Sequence, residues 1–514
     1  MNKIVYLLLS IIITLLFFLS KGIVIIILCG IIAGYILSKK AASDNEKIFL
    51  KRIYFFAFVL GIIISSANFY LAAFIKNDSD LIGDASAYSS HGAYIAEVLT
   101  NKRIKVENNY IDMLELNETR SKYGGKLPVY EDYRIGFFAY FYGYIYALFG
   151  YSPLIIKYLN LILGIIGCFL IYFWVRDVFG EKQAKLSLFL TLFLPSRFIW
   201  STSGLKDTLV FFSFSLMLFI FFKLQRTNSL LLSAVIIFAA FINYASVYIY
   251  IPTTFINYAS TYVYIPIILI LFFYRKKIIS LFSSFIFMKL AYVLVHSIRI
   301  HFIEPVTVSL VASLITLLKR GKIFLLAVFI PLLLFALFEV DKDSLKNYYR
   351  SGAMIMIEAH KGQALAGEYA MSKYKIYPQR FYDNSISIHD RQSMSISFKE
   401  LFISYLFGMS YHFLSPFPWT LNSKGLIFGY IQSVYVYILL PFIVIGIMIG
   451  FRYHWRKTFP YFLLILMIGS MNSLFLGNMG TLFRHRDMVM PFFIAFGAIG
   501  LTHIIKMPRI GYER

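Results

Sequence analysis

The chain has 514 residues, of which 59% are hydrophobic and only 15% charged, with a mean hydropathy of +0.72; soluble domains carry about 25% charged residues. That apolar excess excludes a water-soluble globular protein. The net charge of +23 would suggest nucleic acid in a soluble chain, but here the basic residues punctuate apolar runs, as in loops kept on the cytoplasmic side of a bilayer, so no nucleic-acid partner is expected.

A helix crossing the ~30 Å hydrocarbon core needs about 20 apolar residues, and this yardstick predicts an all-α, polytopic transmembrane bundle of about fourteen spans with external juxtamembrane helices and loops. The first runs lie near 4–20 and 22–38. Ile4 to Leu19 follows a lone Lys3, but a second apolar run begins almost at once and no small-residue cleavage site precedes it, which favours a retained hairpin over a signal peptide. Further spans are expected near 53–76, 153–174, 186–201, 207–222, 228–250, 252–274, 278–297, 303–318, 323–338, 425–450, 458–477 and 488–505. Cys29 and Cys168 both lie inside apolar stretches, so they suggest neither a disulfide scaffold nor a thiolate metal site.

Alternate connections should be basic if this segmentation holds. Clusters occur at Lys39/Lys40/Lys47/Lys51/Arg52, Arg176/Lys182/Lys185, Lys223/Arg226, Arg275/Lys276/Lys277, Lys319/Arg320/Lys322, Arg452/Arg456/Lys457 and Lys506/Arg509, all on one side together with both termini. That side is read as the cytoplasm of a cell or inner membrane. The opposite, periplasmic or extracellular side receives residues 77–152 and 339–424. The chain thus divides into an N-terminal hairpin and cytoplasmic loop (1–52), a transmembrane module (53–338), an external loop or cap (339–424) and C-terminal helices (425–514).

In the first external loop, Leu81 to Thr100 can form an amphipathic helix and Gly136 to Phe149 is rich in aromatics; both suit the interface plane. Residues 242–254 and 256–268 form a tandem near-repeat too short for a solenoid unit; it reads as a local duplication around a turn, or as a row of substrate-lining tyrosines. The second loop ends in Ser415-Pro416-Phe417-Pro418-Trp419, an aromatic turn of the kind favoured at headgroup depth.

Three features on the external side can carry chemistry. In Gly83-Asp84-Ala85-Ser86-Ala87-Tyr88, an acid stands just beyond a span, and carboxylates near a bilayer are costly unless hydrated, paired or functional. Tyr88 at i+4 shares a helical face with Asp84, and His91 follows one turn later; alternatively, Asp84 simply caps the helix. In Ser203-Gly204-Leu205-Lys206-Asp207, preceded by Arg197, an acid neighbours a lysine; as an interfacial ion pair it would contribute little. In Arg484-His485-Arg486-Asp487, guanidiniums lie at the outer end of the last span, where they serve either as anchors or as planar forks for a phosphate. His296, His301, His360 and His389 lack ligand-like spacing, which gives a zinc site little support. The sequon Asn117-Glu118-Thr119 is a three-residue pattern of low information, and no Gly-rich nucleotide loop appears.

Taken in order, these pieces resemble the membrane-embedded GT-C glycosyltransferases, such as protein O-mannosyltransferases and lipid A aminoarabinose transferases. The resemblance runs through Gly83–Tyr88, Phe138–Gly150, Lys157-Tyr158-Leu159-Asn160-Leu161, Arg176-Asp177-Val178-Phe179-Gly180, the span closing on Pro195, and Leu205-Lys206-Asp207. It covers residues 53–225 well and the rest loosely, through Pro416-Phe417-Pro418-Trp419 and Arg484-x-Arg486. It implies an inverting transfer of sugar from a polyprenyl-phosphate donor to a glycan or lipid-linked acceptor. It assigns Asp84 as catalytic carboxylate, acting as general base or placing a divalent cation (Mg or Mn, the one candidate cofactor), and Asp207 as the second acid. Arg484, Arg486, Lys206 and Arg197 are implied to hold the donor phosphate, and Tyr88 and His91 to bind substrate. A lone Asp84 replaces the Asp-Glu pair of some members, and two extra spans precede the usual first one.

The competing class is an O-antigen-type polymerase or ligase acting on undecaprenyl-pyrophosphate glycans, to which Arg350, Arg380 and Arg391 of the second loop would be suited. A flippase or transporter would show paired ionisable residues at mid-membrane depth and repeated halves, and neither is evident.

Overall fold

The computed structural model describes residues 21–76, 83–103, 113–127, 137–227, 353–354, 356–362, 364, 374–383, 396–420 and 427–506. Among these residues every extended regular element is helical. In chain order the helices are α1 (Lys21–Lys39), α2 (Asp44–Lys76), α3 (Gly83–Thr100), α4 (Met113–Tyr123), α5 (Phe137–Phe149), α6 (Pro153–Phe179), α7 (Glu181–Leu192), α8 (Pro195–Ser201), α9 (Asp207–Thr227), α10 (Phe398–Leu414), α11 (Ile427–Phe475), α12 (Met479–Arg486) and α13 (Met490–Lys506).

Among the described residues, four stretches are long and apolar enough to cross a bilayer: Lys21–Lys39, Asp44–Phe74, Pro153–Phe179 and Gly429–Trp455. Met479–Arg486 with Met490–Ile505, bent by 59°, makes a fifth if the pair is one broken span. Their outward faces are apolar: Ile25, Leu28 and Ile32 on α1 and Ile431, Ile438 and Met448 on α11 are exposed. Long helices with outward apolar faces mark a membrane protein, because helices satisfy their own backbone groups in lipid. The expected spans near 4–20, 228–250, 252–274, 278–297, 303–318 and 323–338, and the tandem repeat, lie outside the described residues.

One expectation is corrected. The span near 186–201 is two helices: α7 ends at Leu192, and α8 restarts at Pro195 after an extended Leu194 (φ −61°, ψ 119°). Proline has no N–H for an unbroken ladder but suits the first helical position. The expected spans near 425–450 and 458–477 are the two arms of α11, which turns at His454 (φ −136°, ψ 33°) so tightly that Thr458 lies against Gly450.

By internal packing the described residues form two compact units: those within 21–173 and 188–215, and those within 174–187 and 216–506. In the first, α1 meets α2 through glycines. A Cβ at Gly30 or Gly34 would lie 2.4 Å from the rings of Phe58 and Tyr54 respectively, and the Tyr54 hydroxyl donates to the Gly30 carbonyl at 2.6 Å. Leu161 of α6 fills the notch at Gly61 of α2. The buried Glu46 carboxylate accepts from the Tyr172 hydroxyl and from the Ala42 N–H, which offsets its desolvation.

In the second unit, the first arm of α11 packs on α13 at Gly446 and Gly500, where a Cβ would reach 1.9 Å from backbone carbonyls of the other helix. Such small-residue crossings let backbones approach in a membrane. Residues 353–364 and 374–383 bury Met354, Ile357, Ile376 and Phe381 against Leu476, Met479 and Leu482.

Candidate functional site

The first unit assembles its polar residues around α3. Asp84 is the second residue of this helix, where a carboxylate is favoured by the positive end of the helix dipole; the placement of its side chain is outside what is described. Tyr88 is buried, edge-on to Phe138 at 5.3 Å and 6.5 Å from the Tyr142 ring. His91 is buried as well. Residues 88–96 of this helix are buried throughout, because α4 and α5 pack on it. Gly92 and Gly143 let α5 close in. Arg120 of α4 forks onto Glu97, with Nε at 3.0 Å and Nη2 at 2.5 Å. The sequon lies on α4, where the Asn117 side-chain oxygen accepts from Arg120 at 3.1 Å and Thr119 is buried.

The link between α8 and α9 is held by two side chains that the sequence did not single out for this role. Asn160 of α6 donates through Nδ2 to the carbonyls of Ser203 (2.9 Å) and Leu205 (2.8 Å). The Tyr142 hydroxyl donates to the Gly204 carbonyl at 2.5 Å. A Cβ at position 204 would lie 2.4 Å from that hydroxyl oxygen and 3.4 Å from the Ala85 Cβ. The absence of a side chain at Gly204 therefore seats the link against the first turn of α3. Motifs more than a hundred residues apart, Gly83–Tyr88 and Ser203–Asp207, meet in one unit. Lys206 and Asp207 are both buried, and Asp207 opens α9 as Asp84 opens α3, each acid in the first turn of its helix. The signal that could have found Asn160 was an isolated amide in an apolar run, which is expensive in a membrane unless it is used.

Arg197 is buried, its guanidinium 4.0 Å from the centre of the Phe211 ring and against Gly164 of α6. It is built into the packing of α6, α8 and α9. Among the described residues no three His, Cys, Asp or Glu side chains converge as metal ligands.

Arg484 and Arg486 belong to the second unit. Arg484 is half-buried and Arg486 fully buried. Arg486 donates through Nη1 to the carbonyls of Ser415, Phe413 (3.4 Å) and His412 (3.5 Å), and lies over the Phe483 ring at 4.5 Å. Beside it, Asp487 accepts from Gln432 at 3.0 Å. Of the loop arginines, Arg380 is paired with Glu400 through two contacts of 2.8 Å, while Arg350 and Arg391, like His296, His301 and His389, lie outside the described residues. No protein-family model, curated protein or solved structure matches the chain.

Proposed function

We propose that this chain is an integral-membrane glycosyltransferase of the GT-C type. It moves a sugar from a polyprenyl-phosphate donor to a lipid-linked or cell-surface glycan acceptor on the membrane face opposite its basic loops, in a bundle of about fourteen spans. The observation that carries this reading is the seating of the Ser203–Asp207 link against the first turn of α3, through Gly204 and Ala85. The two acid-bearing motifs of the resemblance are then neighbours in one unit.

On this reading an acceptor hydroxyl oxygen attacks the anomeric carbon while the bond from that carbon to the phosphate oxygen breaks. The phosphate leaves with the electron pair, and Asp84 takes the hydroxyl proton as general base. Configuration inverts. Asp207 is the second acid, Tyr88 and His91 line the substrate side of α3, and basic groups offset the charge on the departing phosphate.

The test is transfer of radiolabelled sugar from polyprenyl-phosphate donors to glycolipid acceptors in membranes carrying wild type or Asp84→Asn. Wild type is expected to transfer, and Asp84→Asn at unchanged protein level to fall about a hundredfold or more, the scale of general-base catalysis. Extension of pyrophosphate-linked glycans alone, with Asp84→Asn still active, would replace this reading with that of a polymerase.

A further inference from the structure

α10 begins in a polar setting and then loses it. Ser397 caps the helix in a box with Glu400, Glu400 is paired with Arg380, and Lys399 is exposed. From Leu401 to Thr420 the chain carries no Asp, Glu, Lys or Arg, and its one histidine, His412, is fully buried.

One face of α10 packs on the second arm of α11. A Cβ at Gly408 would lie 2.2 Å from the Ser473 carbonyl oxygen, and Tyr405 bonds Ser470 at 2.9 Å. The other face exposes Phe398, Phe402, Ile403, Leu406 and Phe407, a concentration of large apolar side chains that water does not favour. The exposed Ser410 is satisfied internally, its hydroxyl donating to the Leu406 carbonyl at 2.9 Å.

The far end of the helix carries the decisive feature. A helix C-terminus leaves carbonyls without intrahelical donors, and at a wet surface water supplies them. Here protein side chains do so. Arg486 serves His412, Phe413 and Ser415, and the Tyr437 hydroxyl donates to Leu414 at 2.6 Å. Backbone groups at membrane depth require this kind of service.

The following turn abuts a membrane-length helix: Pro416 lies against Gly429, the first residue of the apolar stretch Gly429–Trp455, whose Ile431, Val434 and Ile438 are exposed. Trp419, 76% exposed and stacked parallel on Phe417 at 4.9 Å, suits headgroup depth. With 17 residues, α10 is about 25 Å long, short of the ~30 Å core.

We infer that α10 and the turn after it form a re-entrant segment whose apolar face is covered by bilayer lipid, with Arg486 and Tyr437 capping its buried end. This rests on the membrane reading of α11. It makes part of the 339–424 loop a membrane element and gives Arg486 a positioning role for α10.

The experiment places single nitroxide labels on the full chain in lipid nanodiscs, in a Cys29→Ala, Cys168→Ala background, at Phe402→Cys and Phe407→Cys. Ile438→Cys serves as the span reference and Lys399→Cys as the water reference. Collision with oxygen and with a water-soluble nickel chelate is read by electron paramagnetic resonance. Labels at 402 and 407 are expected to match Ile438→Cys, with an oxygen-to-nickel ratio severalfold above that of Lys399→Cys. If they follow Lys399→Cys while Ile438→Cys stays lipid-like, the inference is overturned and the membrane reading of α11 stands. Shielding from both reagents would put protein on this face and overturn it equally. Nickel access at Ile438→Cys would sink the membrane reading of α11 itself.

Discussion

Asn160 shows how one side chain can set a site it does not touch chemically. Its single amide group holds the carbonyls on both sides of Gly204, and with them the backbone that leads into Asp207. Asn160→Ala leaves two buried carbonyls without that donor, at about 1–3 kcal/mol each. The expected outcome is a clear drop in the thermal midpoint of the purified protein together with loss of sugar transfer. A variant with unchanged midpoint and unchanged transfer would show that the link is held by other contacts. Gly204 is the complementary case, a position that works because nothing projects from it.

At the scale of elements, the segment 374–383 docks on the end of α11 and on α12 through a small apolar core, and the buried His360 packs against the segment. The ring is edge-on to Tyr374 and Tyr377, and its Nε2–H donates to the Tyr374 carbonyl at 3.1 Å. Burial pulls its pKa down to about 4. Since the undocked ring titrates near pH 6.5, it binds protons more readily than the docked one between those values. Docking is therefore fully stable above about pH 6.5 and loses on the order of 2–3 kcal/mol as pH falls to about 4. Glu400, whose hydrogen bonds to Arg380 hold its pKa near 2, starts to lose its own contribution only below the free carboxyl value of about 4.3, at the lower edge of this window. Hydrogen exchange in 374–383 is expected to rise from pH 6.5 to pH 4 in wild type and to stay flat in His360→Gln; an equally steep rise in the variant would point to another titrating group. The same scale explains the correction at 186–201. Hydropathy sums side chains over a window and passes over Pro195, whereas helix continuity depends on one missing N–H.

For the whole molecule, the basic clusters make a directional prediction. A fluorescent-protein fusion after residue 506 is expected to fluoresce in the cytoplasm, and alkaline phosphatase inserted at the exposed Gly124-Gly125 turn to be active on the other side. The reverse result would put Asp84 on the cytoplasmic face and remove the case for a donor flipped across the membrane. Membrane class, helical content and four of the span positions were legible in the sequence, because lipid solvation acts on each stretch of side chains independently of the rest of the fold. So were the acids as candidates, because a carboxylate beside a span is conspicuous wherever the chain goes next. The meeting of Ala85 with Gly204, the clamp by Asn160, and the capping of α10 by Arg486 were decided only by tertiary structure. Each joins residues far apart in the chain through a notch or a hydrogen bond, and no local periodicity or composition encodes which partner will arrive.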